Sequence, residues 1–169
     1  APDPPSTAEA QPAPVRVRNT RPDDFDDIVR ISRIVYPDDR WYGSELARHR
    51  EGFPEGQLVA VDTESDRVLG MAASPIIAWD AYEPDETWDD FTDSGLFTNH
   101  DPEGRTLYGA EVMVDPAARR RGVGSALYGA RQRLVRHLGL ARIRAHSRLA
   151  GYHREADRLT AREYVAGVL

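Results

Sequence analysis

The chain contains no cysteine and no lysine. Without cysteine it has no disulfide, no thiolate nucleophile and no cysteine-ligated zinc, which fits the cytoplasm. Without lysine, a Walker-type phosphate loop and Schiff-base chemistry are excluded. Long apolar runs are also missing. None approaches the roughly 20 residues a membrane span needs, so no membrane association is expected. The opening "APDPPSTAEAQPAP" has neither a basic n-region nor an apolar h-region. Residues 1–13 are expected to form a disordered Pro/Ala-rich arm, followed by one domain over 14–169. The histidines are scattered, with no His-x-x-x-His pair, so no metal site is expected.

Charge is unevenly placed within a net balance of -6. Residues 1–104 hold 9 arginines against 23 acids, and residues 105–169 hold 13 arginines against 5 acids. Such a split suits one surface for an anion and another for a cation.

Period-two alternation in "VRVRNT" predicts a first strand, and Phe25, Ile28, Val29, Ile31, Ile34 and Val35 predict a helix that stops before Pro37. A short helix is expected from an N-cap at Ser44. "GQLVAVDTESDRVLGMAASPIIAW" reads as a hairpin whose second strand bends at Pro75. "RTLYGAEVMV" reads as one strand, "GVGSALYGARQRLVRHLG" as an amphipathic helix and "ARIRAHS" as a strand. A last helix is expected from Thr160. The step from 105 to 147 is therefore a parallel β-α-β unit, and the earlier strands are antiparallel neighbours. Residues 80–104 are rich in acids and aromatics and show no periodicity. A loop of that length is usually functional or disordered.

The chemistry-bearing stretch is "VDPAARRRGVGSAL". A helix starting at Gly122 presents unpaired N–H groups and the positive end of its dipole. Gly122 and Gly124 let an anion approach the backbone, while Arg119, Arg120 and Arg121 add forked cations. A dinucleotide fingerprint fails, because Leu127 stands where the third small residue belongs and no acid lies between Asp115 and Glu155. Nucleic acid is disfavoured by the acidic balance. A helix start carrying ordinary surface arginines is the alternative.

Val114-Asp115-Pro116, then Arg119, Gly122 and Gly124, on a strand-loop-helix, resembles motif A of the GNAT superfamily of acyl-CoA-dependent N-acetyltransferases. The order of elements from Val15 to Ser147 resembles that family too. "FPEGQLVAVD", "TNHDPEGRTLYGAEV" and "GYHREAD" look like the GNAT domain that some bacterial proteins carry beside a carbon-nitrogen hydrolase domain. The resemblance implies a GNAT-like α+β fold, with a mixed, mostly antiparallel central sheet and helices on both faces. It also implies acetyl-CoA as co-substrate and direct attack by a primary amine. Val112, Met113 and Val114 would line the pantetheine arm, and the N–H groups from Arg120 through Val123 and Gly124 to Ser125 would hold the pyrophosphate. The acid often found before the motif would fall at Tyr108, so Glu111 becomes the candidate base, with a structural carboxylate as the alternative. Tyr152 is the expected proton donor, with Tyr164 behind it. Trp88, Asp89, Asp90, His100 and Asp101 are expected in a lid for a cationic amine, or else in a solvated acidic loop. The family's two final strands are not seen before Leu169, and a sheet lacking them invites pairing into a homodimer. A non-catalytic acyl-CoA-binding domain is the alternative function.

Overall fold

The computed structural model describes residues 14–147 and 152–168. The expected arm at 1–13 lies outside them. The elements are β1 (Val15–Asn19), α1 (Phe25–Val35), α2 (Gly43–Gly52), β2 (Gln57–Asp62), β3 (Val68–Ala73), β4 (Ile76–Ile77), α3 (Trp88–Thr92), β5 (Thr106–Tyr108), β6 (Glu111–Val114), α4 (Val123–His137), β7 (Arg142–Arg144) and α5 (Ala161–Val168).

Two sheets form, ordered β1-β2-β3-β6 and β4-β5-β7. All pairs are antiparallel except β5 with β7, which α4 joins as the parallel step. The β2–β3 hairpin closes where the Asp62 carboxylate accepts the Glu64 and Ser65 N–H groups, each at 3.0 Å. This is the local bonding that makes aspartate a turn former.

Helices cover both faces of the larger sheet. Ile28 and Ile31 of α1 pack on Val59, Val61, Met71 and Met113, and α4 lays Val123 and Leu127 over Leu58, Ala60, Leu69 and Ala72. These contacts follow strand alternation, since odd and even positions of β2 face different helices. The α1 stripe is narrower than its pattern, because Ile34 is 52% exposed. Helix α2 begins at Gly43 with Tyr42 as its N-cap, two residues ahead of the expected cap at Ser44, and the Glu45 carboxylate accepts the Tyr42 N–H at 2.8 Å.

Two expectations need correction. The strand expected over 105–114 is broken at Gly109 and Ala110, and its halves belong to different sheets. Residues 80–104 are not one featureless loop, although most of their acids are exposed. They contain α3, and Phe91 and Phe97 are buried. Phe97 stacks on His49 at 3.8 Å between ring centroids, and Phe91 stacks on Tyr82 and Tyr108.

Candidate active site

The site grows from the break between β5 and β6. The Gly109 N–H donates to the Arg144 carbonyl at 2.7 Å, and the Ala110 N–H donates to the Ala73 carbonyl at 3.1 Å. Over one residue the chain passes from pairing with β7 to pairing with β3. Beyond that point β6 and β7 are not hydrogen-bonded, and β6 is the edge of its sheet. The Asp115 N–H donates to the Leu69 carbonyl at 2.8 Å, which sets the phase of the ladder. Antiparallel bonding alternates, so Val112 and Val114 turn their N–H and C=O groups toward the open edge.

That edge leads into the arginine loop. The Asp115 carboxylate accepts the Ala117 N–H at 2.9 Å and pairs with Arg30 at 3.0 Å, so the turn after β6 is fixed. Arg120 and Gly122 both adopt left-handed backbone, at φ 67° and 76°. Helix α4 then starts at Val123, and its first internal bond runs from the Ala126 N–H to the Gly122 carbonyl at 2.9 Å. The N–H groups of Val123, Gly124 and Ser125 precede any intrahelical acceptor. A Cβ placed on Gly122 or Gly124 would meet nothing within 4 Å, so the approach to those groups is open. Arg119 and Arg120 are exposed. Arg121 is pinned to Asp62 at 2.9 Å. A row of N–H donors without intrahelical acceptors, beside two exposed guanidiniums, fits a pyrophosphate, and an unpaired strand edge fits an extended amide-bearing arm.

A cavity of about 740 Å³ opens beside the break, and Glu111 and Val112 line it. Glu111 points toward the α1–α2 side, opposite Val112. Its carboxylate accepts the Tyr36 hydroxyl at 3.0 Å and the Trp41 indole N–H at 3.4 Å. Burial pushes the Glu111 carboxyl above the usual glutamate range, although these donors act in the opposite direction. Trp88 and Asp89 also line the cavity, and the Trp88 indole N–H donates to the Ala110 carbonyl at 2.8 Å. Arg131 forms part of the floor, and on the β7 side the buried Tyr108 hydroxyl lies 2.7 Å from Nδ1 of His146. Burial pushes the Tyr108 phenol up to about 12.

The other expected site residues lie elsewhere. The Asp90 carboxylate accepts the Thr87 N–H at 2.7 Å and the Thr87 hydroxyl at 2.8 Å, as the capping box of α3. His100 lines a separate cavity of about 220 Å³, stacks on Phe53 at 4.6 Å and accepts the Ile76 N–H at 3.0 Å. The Asp101 carboxylate accepts the Glu103 N–H at 2.9 Å in a turn. The Tyr152 hydroxyl donates to the Leu159 carbonyl at 3.0 Å, and Tyr152 is not among the residues lining the larger cavity. Tyr36, Trp41 and Arg131 were missed from sequence. Only Arg131 left a trace, as an arginine four and eight residues after the buried Leu127 and Val123 on the apolar face of α4.

Residues 23–156 match the model of the Acetyltransferase (GNAT) family. The chain is 41% identical over 153 residues to the "Probable hydrolase YhcX" of Bacillus subtilis, covering 90% of this chain and 29% of that protein. It is 30% identical over 158 residues to the "Uncharacterized N-acetyltransferase YkwB" of the same organism, covering 90% of this chain and 69% of that protein. Among solved structures, the GphF GNAT-like decarboxylase in complex with isobutyryl-CoA superposes with a TM-score of 0.68 at 26% identity, covering 90% of this chain and 76% of that one. No helix among the described residues is long and apolar enough to cross a membrane.

Proposed function

Because this chain belongs to the acetyltransferase (GNAT) family, we propose that it transfers an acetyl group from acetyl-CoA to a primary amine. The observation that carries this reading is continuity. The open edge of β6 runs from the cavity at Glu111 to the free N–H groups at the start of α4. Acetyl-CoA supplies the activated acyl thioester. Val123, Gly124 and Ser125 would hold its pyrophosphate through main-chain N–H groups, assisted by Arg119 and Arg120, and the edge at Val112 and Val114 would hold the arm. The relative bound to isobutyryl-CoA supports an acyl-CoA ligand of this kind.

An amine must lose a proton before it can attack. For a lysine-like amine at pH 7 that costs on the order of 4–5 kcal/mol. Glu111 is the base in this reading. Its raised pKa narrows the mismatch with an ammonium, and the Tyr36 and Trp41 donors hold it in one orientation. Trp88 and Asp89 at the cavity favour a cationic acceptor through aromatic faces and charge.

The test is CoA release across a panel of amines, run beside calorimetry with acetyl-CoA. Acetyl-CoA should bind, and at least one amine should turn over. Glu111→Gln should lower kcat by 10²–10⁴-fold, the usual worth of general-base catalysis. Acetyl-CoA binding without release for any amine would favour the second reading, a non-catalytic acyl-CoA-binding domain. The commitment of the Tyr152 hydroxyl to Leu159 is the observation on that side.

A further inference from the structure

Arg131 is 1% exposed, yet no carboxylate lies within ion-pair distance of it among the described residues. It arrives from α4 beneath the gap between β6 and β7. Nε donates to the Ser74 hydroxyl at 2.9 Å, and Nη2 donates to the Ala73 carbonyl at 2.8 Å and to the Glu111 main-chain carbonyl. These bonds explain why the guanidinium tolerates burial, since its N–H groups meet a hydroxyl and two main-chain carbonyls. They do not use Nη1. That nitrogen sits beside Gly109, where an added Cβ would lie 3.0 Å from it, and both residues line the large cavity. The Tyr128 ring is 5.9 Å from the guanidinium carbon, a weak cation–π neighbour. The Glu111 carboxylate acts on it through space but makes no ion pair with it, because that carboxylate is hydrogen-bonded to Tyr36 and Trp41.

A buried cation normally has a partner anion, because an unpaired one is costly to desolvate. From this we infer that Nη1 of Arg131 receives a carboxylate on the floor of the cavity, so that the substrates include one bearing a carboxylate near the reacting carbon. The carboxylate belongs either to the acyl group, as in malonyl or succinyl thioesters, or to an amino-acid-like acceptor. For the second, the cavity offers acids such as Asp89 for the ammonium and Arg131 for the carboxylate. This rests on the acyl-CoA reading of the site and extends it to substrate class.

Calorimetry separates the two sources. In the first arm, acetyl-, malonyl- and succinyl-CoA are compared on the intact chain. In the second, glycine and β-alanine are compared with ethylamine and propylamine in the presence of acetyl-CoA. One arm should show at least about tenfold tighter binding of the carboxylate ligand, the worth of one charge-assisted hydrogen bond. Arg131→Met tests the charge but removes a staple of the fold. Gly109→Ala is therefore the second variant, because it retains the arginine and sets a methyl 3.0 Å from Nη1 and 3.3 Å from the guanidinium carbon, with a thermal melt to check the fold. It should abolish the carboxylate preference while leaving the affinity for CoA itself within about twofold. Equal affinity for carboxylate and non-carboxylate ligands in both arms overturns the inference, even if acetyl-CoA binds well. If no CoA ester binds, the pyrophosphate cradle is wrong, and the second arm run without acetyl-CoA decides the carboxylate site alone.

Discussion

Arg121 donates to Asp62 at 2.9 Å, so one of the three arginines before α4 is held by the end of β2. The Asp62 carboxyl is held down to about 2, first by the Ser65 N–H and then by Arg121. The triplet therefore divides by function. Arg121 fixes the loop, whereas Arg119 and Arg120 are exposed and, in the proposed reading, meet the pyrophosphate.

That division predicts different outcomes for single alanine substitutions. Arg119→Ala and Arg120→Ala should each weaken acetyl-CoA binding by about three- to tenfold, with the deficit shrinking at high salt. Their melting temperatures should stay close to wild type. Arg121→Ala should lower the melting temperature as well, because it frees the loop ahead of the helix. Calorimetry at two ionic strengths, beside thermal melts, reads all three. A uniform loss of affinity with unchanged stability would show that Arg121 also faces the ligand.

The two glycines of the loop should separate in the same way. Gly122 needs its left-handed backbone, at φ 76°, so Gly122→Ala costs stability, about 1 kcal/mol. Gly124 has no positive φ, and a Cβ there touches nothing within 4 Å. Gly124→Ala should therefore stabilise α4 by up to about 1 kcal/mol, from helix propensity. If the adjacent N–H groups hold pyrophosphate, the same methyl should reduce acetyl-CoA affinity severalfold. Higher stability with unaltered affinity would place the ligand elsewhere.

The loop could be read from sequence because its backbone signals are local, although Arg30 and Asp62 brace it from a distance. Gly122, the start of α4 and the turn at Asp115 are each set by residues within a few positions. The hairpin at Asp62 was legible for the same reason. What escaped notice depends on distant partners. The apolar residues of "TLYGAEVMV" read as one strand, and Gly109 hints at an interruption without telling which strand the second half joins. The change of sheet is stabilised by Arg131, some twenty residues away, and by Ala73. The environment of Glu111 is built by Tyr36 and Trp41, 75 and 70 residues earlier. Helix α3 spans too few residues for periodicity to show, and its signal was the Thr87–Asp90 capping pair within an acidic run.

Asp89 and Asp90, adjacent in sequence, should respond oppositely to neutralisation. Asp89 faces the cavity, whereas the Asp90 carboxylate is bound to Thr87. Asp90→Ala should lower the melting temperature, because it removes the N3 half of the α3 capping box. Asp89→Asn should leave the melting temperature unchanged and raise the KM for a cationic amine severalfold. If Asp89→Asn leaves KM unchanged for every amine that turns over, the acceptor does not bind beside α3.

His49 is buried, its Nε2 lies 2.6 Å from the Gly95 carbonyl, and its ring stacks on Phe97 at 3.8 Å. A carbonyl only accepts, so Nε2 carries the proton of the neutral ring, and Nδ1 has no partner. Burial pushes the imidazole down to about 4, against about 6.5 in an unfolded chain. Between those values the unfolded state binds the extra proton. The contribution is thus complete above about pH 6.5 and falls away as the pH drops toward 4. Its full size is about 3 kcal/mol by linkage. Urea melts at pH 7, 5.5 and 4.5 should show stability declining across this window. His49→Gln can keep a donor toward Gly95 but cannot titrate, so it should be less stable at pH 7 and flatter with pH. A parallel decline in both proteins would assign the acid sensitivity to the carboxylates.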